Sequence, residues 1–379
     1  MVPLFDLTRQ YQNLKPELDA AVLGLLESGQ FVLGPAVESF EAAAAQFLGV
    51  RHAVGVANGT DALLLSLRAL GVQPGDEVIT TPFSFIATAE VVSLLGATPV
   101  FVDIEPDTFN IDPNLIEAAI SPRTKGIIPV HLFGHPAPMS EVNAIARARG
   151  LFVLEDAAQA WGAWVEGESS TESGVKTFCG GLGDMGAFSF FPSKNLGAAG
   201  EGGLVTTNDD SLAEHVRVLR MHGMKRRYYH DEIGYNSRLH AMQAAILSVK
   251  LPHSAGWNES RRAHAARYRE LLGDLPLGFP DERAGNHHVY HQYTLRSSKR
   301  DALIKALAEA KIGAAIYYPV PLHRQTVYES LGYGEGSLPQ AERAAREVLS
   351  MPIFPELRPE EIEEVAQVVR ASLASLPSD

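Results

Sequence analysis

Between residues 53 and 155 short apolar runs alternate with helical segments, and no other feature of the chain restricts its fold as strongly. The runs Ala53–Ala57, Glu77–Thr80, Pro99–Asp103, Gly126–Val130 and Leu151–Glu155 have the length of strands. Ala62–Leu70, Phe85–Leu95, Leu115–Ile120 and Met139–Arg149 lie between them and read as helices. Such alternation predicts an α/β chain with a mostly parallel central sheet covered on both faces. Ligands of such sheets gather at the carboxyl ends of the strands.

Two more strands, Ala187–Phe191 and Gly203–Thr207, bracket Pro192-Ser193-Lys194 and a glycine-rich tail, so a strand delivers a lysine into a tight loop. Helices are expected over residues 12–30, 36–48 and 211–221, and the aromatic, basic stretch 225–238 interrupts the regular pattern. After Leu251-Pro252 the composition shifts to a long helix rich in arginine and alanine. The boundary predicted there gives a large domain over 1–250, with an N-terminal helical segment, and a smaller C-terminal α/β domain over 251–379. The smaller domain is expected to hold strands at Gln292–Leu295 and Ile316–Tyr318 and a helix at Ala302–Ala310.

With 379 residues, 46% of them hydrophobic, the chain can bury a large core. Its formal charge of −13 offers no broad positive field, which argues against nucleic acid and anionic membranes as partners. Any phosphate site must therefore be local. The single cysteine, Cys179, excludes an internal disulfide and fits a reducing compartment. Neither a leader peptide nor an apolar run of about 18 residues is present, so the sequence reads as soluble and cytoplasmic.

Three stretches carry chemistry. Asn58-Gly59-Thr60-Asp61 joins a strand to a helix, where free N–H groups and the positive end of the helix dipole suit a phosphate. Taken alone, the same tetrapeptide reads more readily as a helix cap through Thr60 or Asp61. Asp156 ends a buried strand three residues before Gln159, and a buried carboxylate needs a cation, supplied either by an arginine or helix cap or by a cofactor nitrogen. Lys194 is the third.

A lysine, an acid and a phosphate cradle at the strand ends of one sheet match the demands of pyridoxal phosphate. The lysine forms a Schiff base, the carboxylate keeps the pyridine nitrogen protonated, and the helix end holds the phosphate. Phe85, in Pro82-Phe-Ser-Phe85, offers a ring to stack on the cofactor, or else fills the core. Gly181-Leu-Gly183-Asp-Met-Gly186 spells a dinucleotide fingerprint, but a strand follows it and not a helix, so the match is rejected. The long stretch 166–183 is expected to loop out at the surface. His287, His288 and His291 form no ligand set, and metal binding is not expected.

In order along the chain stand Pro3-Leu-Phe-Asp6-Leu-x-x-Gln10, Gly34-Pro35, Asn58-Gly-Thr-Asp-Ala-Leu63, Thr81-Pro-Phe-Ser-Phe85 and Glu155-Asp-Ala-Ala-Gln159. Phe188-Ser189-Phe-Phe-Pro-Ser-Lys194-Asn-Leu-Gly, Gly234-Tyr-Asn236-Ser-Arg238-Leu and Tyr317-Tyr-Pro-Val-Pro-Leu-His323 complete the series. In this order they resemble the fold type I sugar aminotransferases of the DegT/DnrJ/EryC1/StrS group over nearly the whole chain.

The resemblance implies that Lys194 carries the pyridoxal 5'-phosphate, Asp156 pairs with its ring nitrogen, Gln159 contacts the ring hydroxyl and Phe85 stacks on the ring. It places Gly59, Thr60, Asp61 and Ser189 around the phosphate and has Asn236 reach it from a neighbouring subunit, hence a homodimer with shared sites. Arg238, Tyr317 and His323 match positions that line the sugar pocket. The implied activity is transamination of a 3-keto nucleotide-linked sugar with L-glutamate as donor. UDP-linked 3-keto uronates and dTDP-linked 3-keto-6-deoxy sugars both fit, with a slight preference for the uronate, whose carboxylate Arg238 would serve. The alternatives are a C4-keto aminotransferase, a sugar dehydratase, in which histidine replaces the lysine, and a non-catalytic regulatory protein of the same fold.

Overall fold

The computed structural model describes residues 1–167 and 175–375. In chain order its first five strands are β1 (His52–Val56), β2 (Glu77–Thr80), β3 (Thr98–Phe101), β4 (Thr124–Ile128) and β5 (Phe152–Asp156). Two short strands, β6 (Trp164–Glu166) and β7 (Lys176–Phe178), precede β8 (Met185–Ser189) and β9 (Gly203–Thr207). Seven of these form one sheet in the order β1-β9-β8-β5-β4-β2-β3. All run the same way except β9, which lies antiparallel to both neighbours. The mostly parallel sheet expected from the sequence is thus present.

Both faces are buried because consecutive strand residues alternate sides. Val54, Val78, Ile128, Leu154, Ala187 and Val205 pack under the helix Gly59–Ala69 and the helix Asp210–Leu219. Their neighbours Ile79, Ile127 and Val153 pack under Met139–Arg149, while Ala53, Phe188 and Leu204 meet the helices Pro35–Leu48 and Ala241–Lys250. Two cores therefore sandwich the sheet, and its polar chemistry is confined to the strand ends.

The C-terminal region gathers the helices Ser254–Leu272, Arg300–Glu309 and Pro359–Ser375 around an antiparallel pair, Tyr293–Arg296 with Val348–Met351. Tyr268, Leu295, Leu303, Leu349 and Val365 form its core, and Val2 joins them from the other end of the chain through a bridge to Ile312. Ile316–Tyr318 is not a strand, contrary to its aromatic, β-rich composition. Its neighbour Ala315 makes a single bridge to Ser350, the rings of Tyr317 and Tyr318 meet each other, and Tyr318 also meets Phe83 and Phe85. Within 225–238 a small hairpin pairs Met224–Arg226 with Tyr229–His230. The central part of the expected surface loop, 168–174, lies outside the described residues. No helix among the described residues is long and apolar enough to cross a membrane.

Candidate active site

Register sets the site. Asp156 pairs with Ala187 and Ser189 with Gly203, so the carboxylate, the hydroxyl and the start of the lysine loop emerge along one edge of the sheet. Beside them the helix Gly59–Ala69 begins. Its N-cap is Asn58, whose side-chain oxygen accepts the Asp61 N–H at 2.8 Å. Capping therefore falls to neither Thr60 nor Asp61. Of this first turn, Gly59 and Thr60 keep backbone N–H groups that no helical carbonyl can reach, at the positive end of the dipole.

The turn is pressed against the sheet so closely that it tolerates no side chain. A Cβ on Gly59 would sit 2.7 Å from the Ser189 Cβ, and one on Gly203 would sit 2.1 Å from the Asn58 carbonyl oxygen. The Ser189 Oγ accepts the Phe191 N–H at 3.3 Å, which leaves its own proton to donate. Two N–H groups and a helix dipole beside the Ser189 hydroxyl make a set of donors suited to a phosphate dianion.

Asp156 is only 5% exposed. One of its oxygens accepts the Thr88 hydroxyl at 2.7 Å and the other accepts the Ala158 N–H at 3.2 Å. No cation lies within ion-pair distance among the described residues. Burial pushes its pKa above the ordinary carboxylate value, against the pull of these hydrogen bonds and of the more distant Lys194. A protonated ring nitrogen would supply the missing partner. Thr88 also meets the Ser84 hydroxyl at 2.9 Å, so the helix Ala87–Leu94 orients the carboxylate.

Lys194 hangs from a turn whose N–H bonds the Phe191 carbonyl at 2.8 Å. Burial lowers its pKa to about 8, and the charge of Asp156 only partly restores it. The next residue, Asn195, is locked in place: its amide donates to Asn258 Oδ1 at 2.7 Å and to the Val289 carbonyl at 3.1 Å, and its oxygen meets His291 Nδ1 at 3.0 Å. Lys250 donates to the Gly197 carbonyl at 2.8 Å, pinning the far side of the loop. Those anchors come from two helices and the 289–291 segment, all distant in sequence, so no local motif announces them.

Gln159 is fixed at both ends, accepting the Phe133 N–H at 2.7 Å and donating to the Tyr318 hydroxyl at 3.1 Å. Tyr318, unlike its neighbour Tyr317, was not singled out from the sequence. The Phe85 ring is 58% exposed and 6.5 Å from the Tyr318 ring, so it does not fill the core and one face is free to stack. Lysine, acid, amide and phosphate cradle therefore converge, and their donors and acceptors fit pyridoxal phosphate.

Of the remaining sequence candidates, Tyr317 borders the site and the others lie outside the Lys194–Asp156–Gln159 group. Tyr317 is half-buried beside Tyr318. His323 is buried and its Nε2 meets Glu342 Oε1 at 3.1 Å, with burial holding its pKa below the usual imidazole value. Asn236 is exposed and accepts from Arg238, while Ser237 between them is buried and accepts the Ala57 N–H at 3.2 Å. The rejected glycine fingerprint has a protein partner of its own: the buried Glu155 carboxylate accepts the N–H groups of Gly180, Leu182 and Gly183 at 2.6, 2.7 and 2.7 Å. His131 bonds the same carboxylate at 2.8 Å while its other nitrogen accepts the Ala137 N–H. Although His131, Glu155 and Cys179 cluster closely enough to hold a metal ion, the lone pairs such an ion needs are already engaged on the first two.

Comparison with known proteins agrees with this geometry. The chain is 52% identical over 377 residues to a protein named pleiotropic regulatory protein from Geobacillus stearothermophilus, covering 97% of this chain and 99% of the relative. It is 48% identical over 372 residues to the UDP-N-acetyl-3-dehydro-alpha-D-glucosamine 3-aminotransferase of Acidithiobacillus ferrooxidans, covering 98% of each. Among solved structures, S. venezuelae DesV in complex with a ketimine intermediate superposes with a TM-score of 0.94 at 44% identity, covering 99% of both chains. Residues 12–370 match the DegT/DnrJ/EryC1/StrS aminotransferase family, and the chain belongs to that family.

Proposed function

We propose that this protein transfers an amino group from L-glutamate to the C3 keto group of a nucleotide-linked sugar, UDP- or dTDP-linked, with pyridoxal phosphate as the carrier. The observation that carries the reading is the meeting of Lys194, the cation-hungry Asp156 and the Gly59–Thr60 cradle on one sheet edge. When bound, pyridoxal phosphate supplies an electron sink that makes the donor's Cα proton labile and accepts its amino group.

This chain's residues do the rest. Gly59, Thr60 and Ser189 hold the phosphate; Asp61 supports them by giving its N–H to the Asn58 cap. Asp156, oriented by Thr88 and Ala158, keeps the ring nitrogen protonated. Gln159 bonds the ring hydroxyl, and Phe85 covers one face of the ring. With its pKa lowered to about 8, Lys194 has a neutral fraction at physiological pH that would take the proton from the donor Cα and hand it to the cofactor carbon on the other side of the amino nitrogen. The keto sugar is aminated by the same steps in reverse.

Arg238, Tyr317 and His323 belong to the sugar side in this reading. The buried His323–Glu342 pair acts by shaping the wall of the pocket. Asn236 is exposed and available to a second copy of the chain, and the exposed Phe31 and Val32 lie against the segment that follows it, which supports a homodimer with shared sites; the protein is read as cytoplasmic. Relatives named for C3 chemistry include a UDP-linked glucosamine enzyme, 48% identical, and a UDP-linked 3-oxo-glucuronate enzyme, 44% identical, so both the uronate and the neutral sugar stay in play. A regulatory role, suggested by the name of another relative, is the second reading, and it has no use for Lys194, Asp156 and Gln159 together.

Turnover of synthetic 3-keto and 4-keto sugar nucleotides, with glutamate consumption coupled to a dye, decides between these readings. Amination of the 3-keto compound alone is expected. Activity only on the 4-keto compound would reassign the position, and none on either would favour the regulatory reading.

A further inference from the structure

A second cavity, of about 40 Å³, opens one residue from the lysine, lined among others by Phe5, Ser193, Arg261, His291, Gln292 and Tyr317. Arg261, on the helix Ser254–Leu272, is 5% exposed. Its Nη1 donates to the carbonyls of Tyr290, His291 and Ile353 at 3.2, 3.4 and 2.7 Å. Its Nε is buried without a partner. Among the described residues no hydrogen bond reaches Nη2 and no carboxylate lies within ion-pair distance. Arg261 is therefore a buried cation whose Nε–Nη2 fork, the edge that grips carboxylates two bonds at a time, is unused.

A buried charge without an ion-pair partner costs several kcal/mol, and three carbonyl dipoles with the more distant charge of Glu356 offset only part of that. Nothing in the lining supplies the anion. The Asn195 amide donates to two acceptors, so its oxygen must receive a proton from His291 Nδ1, which makes His291 a neutral ring with Nε2 as acceptor. Gln292 Oε1 is likewise buried and unpartnered, and its amide, turned over, adds N–H donors to the same space. The cavity is on the order of one or two water volumes, which is also the size of a carboxylate group.

We propose that Arg261, with Gln292, binds a carboxylate of the amino donor, making this cavity the subsite that selects an amino acid as donor. The inference rests on the transaminase reading. His291, which lines the cavity, lies close enough to Lys194 to feel its charge, so a donor held here by its carboxylate brings its Cα toward the amine that takes the proton. Amination of the keto sugar calls on no carboxylate here, although Tyr317 borders both this cavity and the sugar side.

The two half-reactions separate the alternatives. In rapid-mixing experiments on the cofactor-loaded protein, Arg261→Lys is expected to raise the glutamate concentration needed for half-maximal amino transfer by roughly 10- to 100-fold. The reaction of the pyridoxamine-phosphate form with the keto sugar should stay within about twofold, which also reports that the variant is folded. Calorimetry with glutarate, a dicarboxylate without an amine, should show a matching loss of affinity. Gln292→Leu, a milder change, should weaken both ligands several-fold and serves if Arg261→Lys does not fold. Unchanged glutamate and glutarate affinity in either variant would mean that the cavity holds only water, and would overturn the inference while leaving transamination intact. Loss confined to the sugar half-reaction would overturn it too, by moving the carboxylate to the sugar. Failure of the wild-type protein to accept an amino group from any donor would instead sink the transaminase reading, and this inference with it.

Discussion

Asp156 is a carboxylate with almost no water and, among the described residues, no cation within ion-pair distance, and at the level of single residues it is the clearest mark of what the site awaits. Its pKa is raised by burial, so above the ordinary carboxylate value the folded protein carries the cost of an ionised group it does not solvate. Asp156→Asn is expected to stabilise the cofactor-free protein by about 1–2 kcal/mol at pH 7, with the gain fading as pH falls toward the ordinary value near 3.8. The same variant should lose at least about 100-fold in amino transfer, because nothing then holds the ring nitrogen protonated. Denaturation of the cofactor-free protein across pH, together with turnover, checks both halves. A destabilised variant that keeps its activity would contradict the assignment. Asp156 and Lys194 were legible in the sequence because each closes a short apolar run with a residue that does not belong in a core. Thr88, Tyr318 and Arg261 were not, since a threonine in a helix, a tyrosine in an aromatic run and an arginine among arginines carry no pattern of their own.

Among the elements, alternation announced the sheet and its sidedness, and the five strands up to residue 156 fell within two or three residues of their expected places. Direction was another matter. The reversal of β9 follows from the lysine loop turning the chain straight back, and hydrophobic pattern is blind to direction. Glu155 shows the same limit: next to Asp156 it reads as one more acid, yet its carboxylate organises the Gly180–Gly183 turn through three N–H groups some 25 residues away in sequence. Removing it strands those donors and His131 in the core. Glu155→Ala is expected to cost about 3–5 kcal/mol of stability, with the loss visible in chemical denaturation before any effect on the reaction is considered. A cost under about 1 kcal/mol would mean that the turn stands without its anchor.

For the whole molecule the sites are expected to be shared between two copies. Asn236 is exposed in one chain, and the resemblance gives it a role in a neighbour's phosphate site. Mixing inactive Lys194→Ala and Asn236→Ala subunits should restore up to roughly a quarter of the wild-type activity through hybrid sites that carry both native residues, if exchange is random and Asn236 is essential. No recovery despite demonstrated exchange would place Asn236 in its own chain's site or outside any. The N-terminus tying itself to the C-terminal core through Val2 belongs to this scale as well, and no local reading of the first ten residues foretells it.

The central claim, that Lys194 is the residue on which the carrier is loaded, has a direct optical test. Purified protein incubated with pyridoxal phosphate and freed of excess should show a yellow absorbance band above roughly 400 nm, bleached by glutamate and absent from Lys194→Ala. A colourless wild-type protein, or a Lys194→Ala variant that keeps the band and its response to glutamate, would contradict the account.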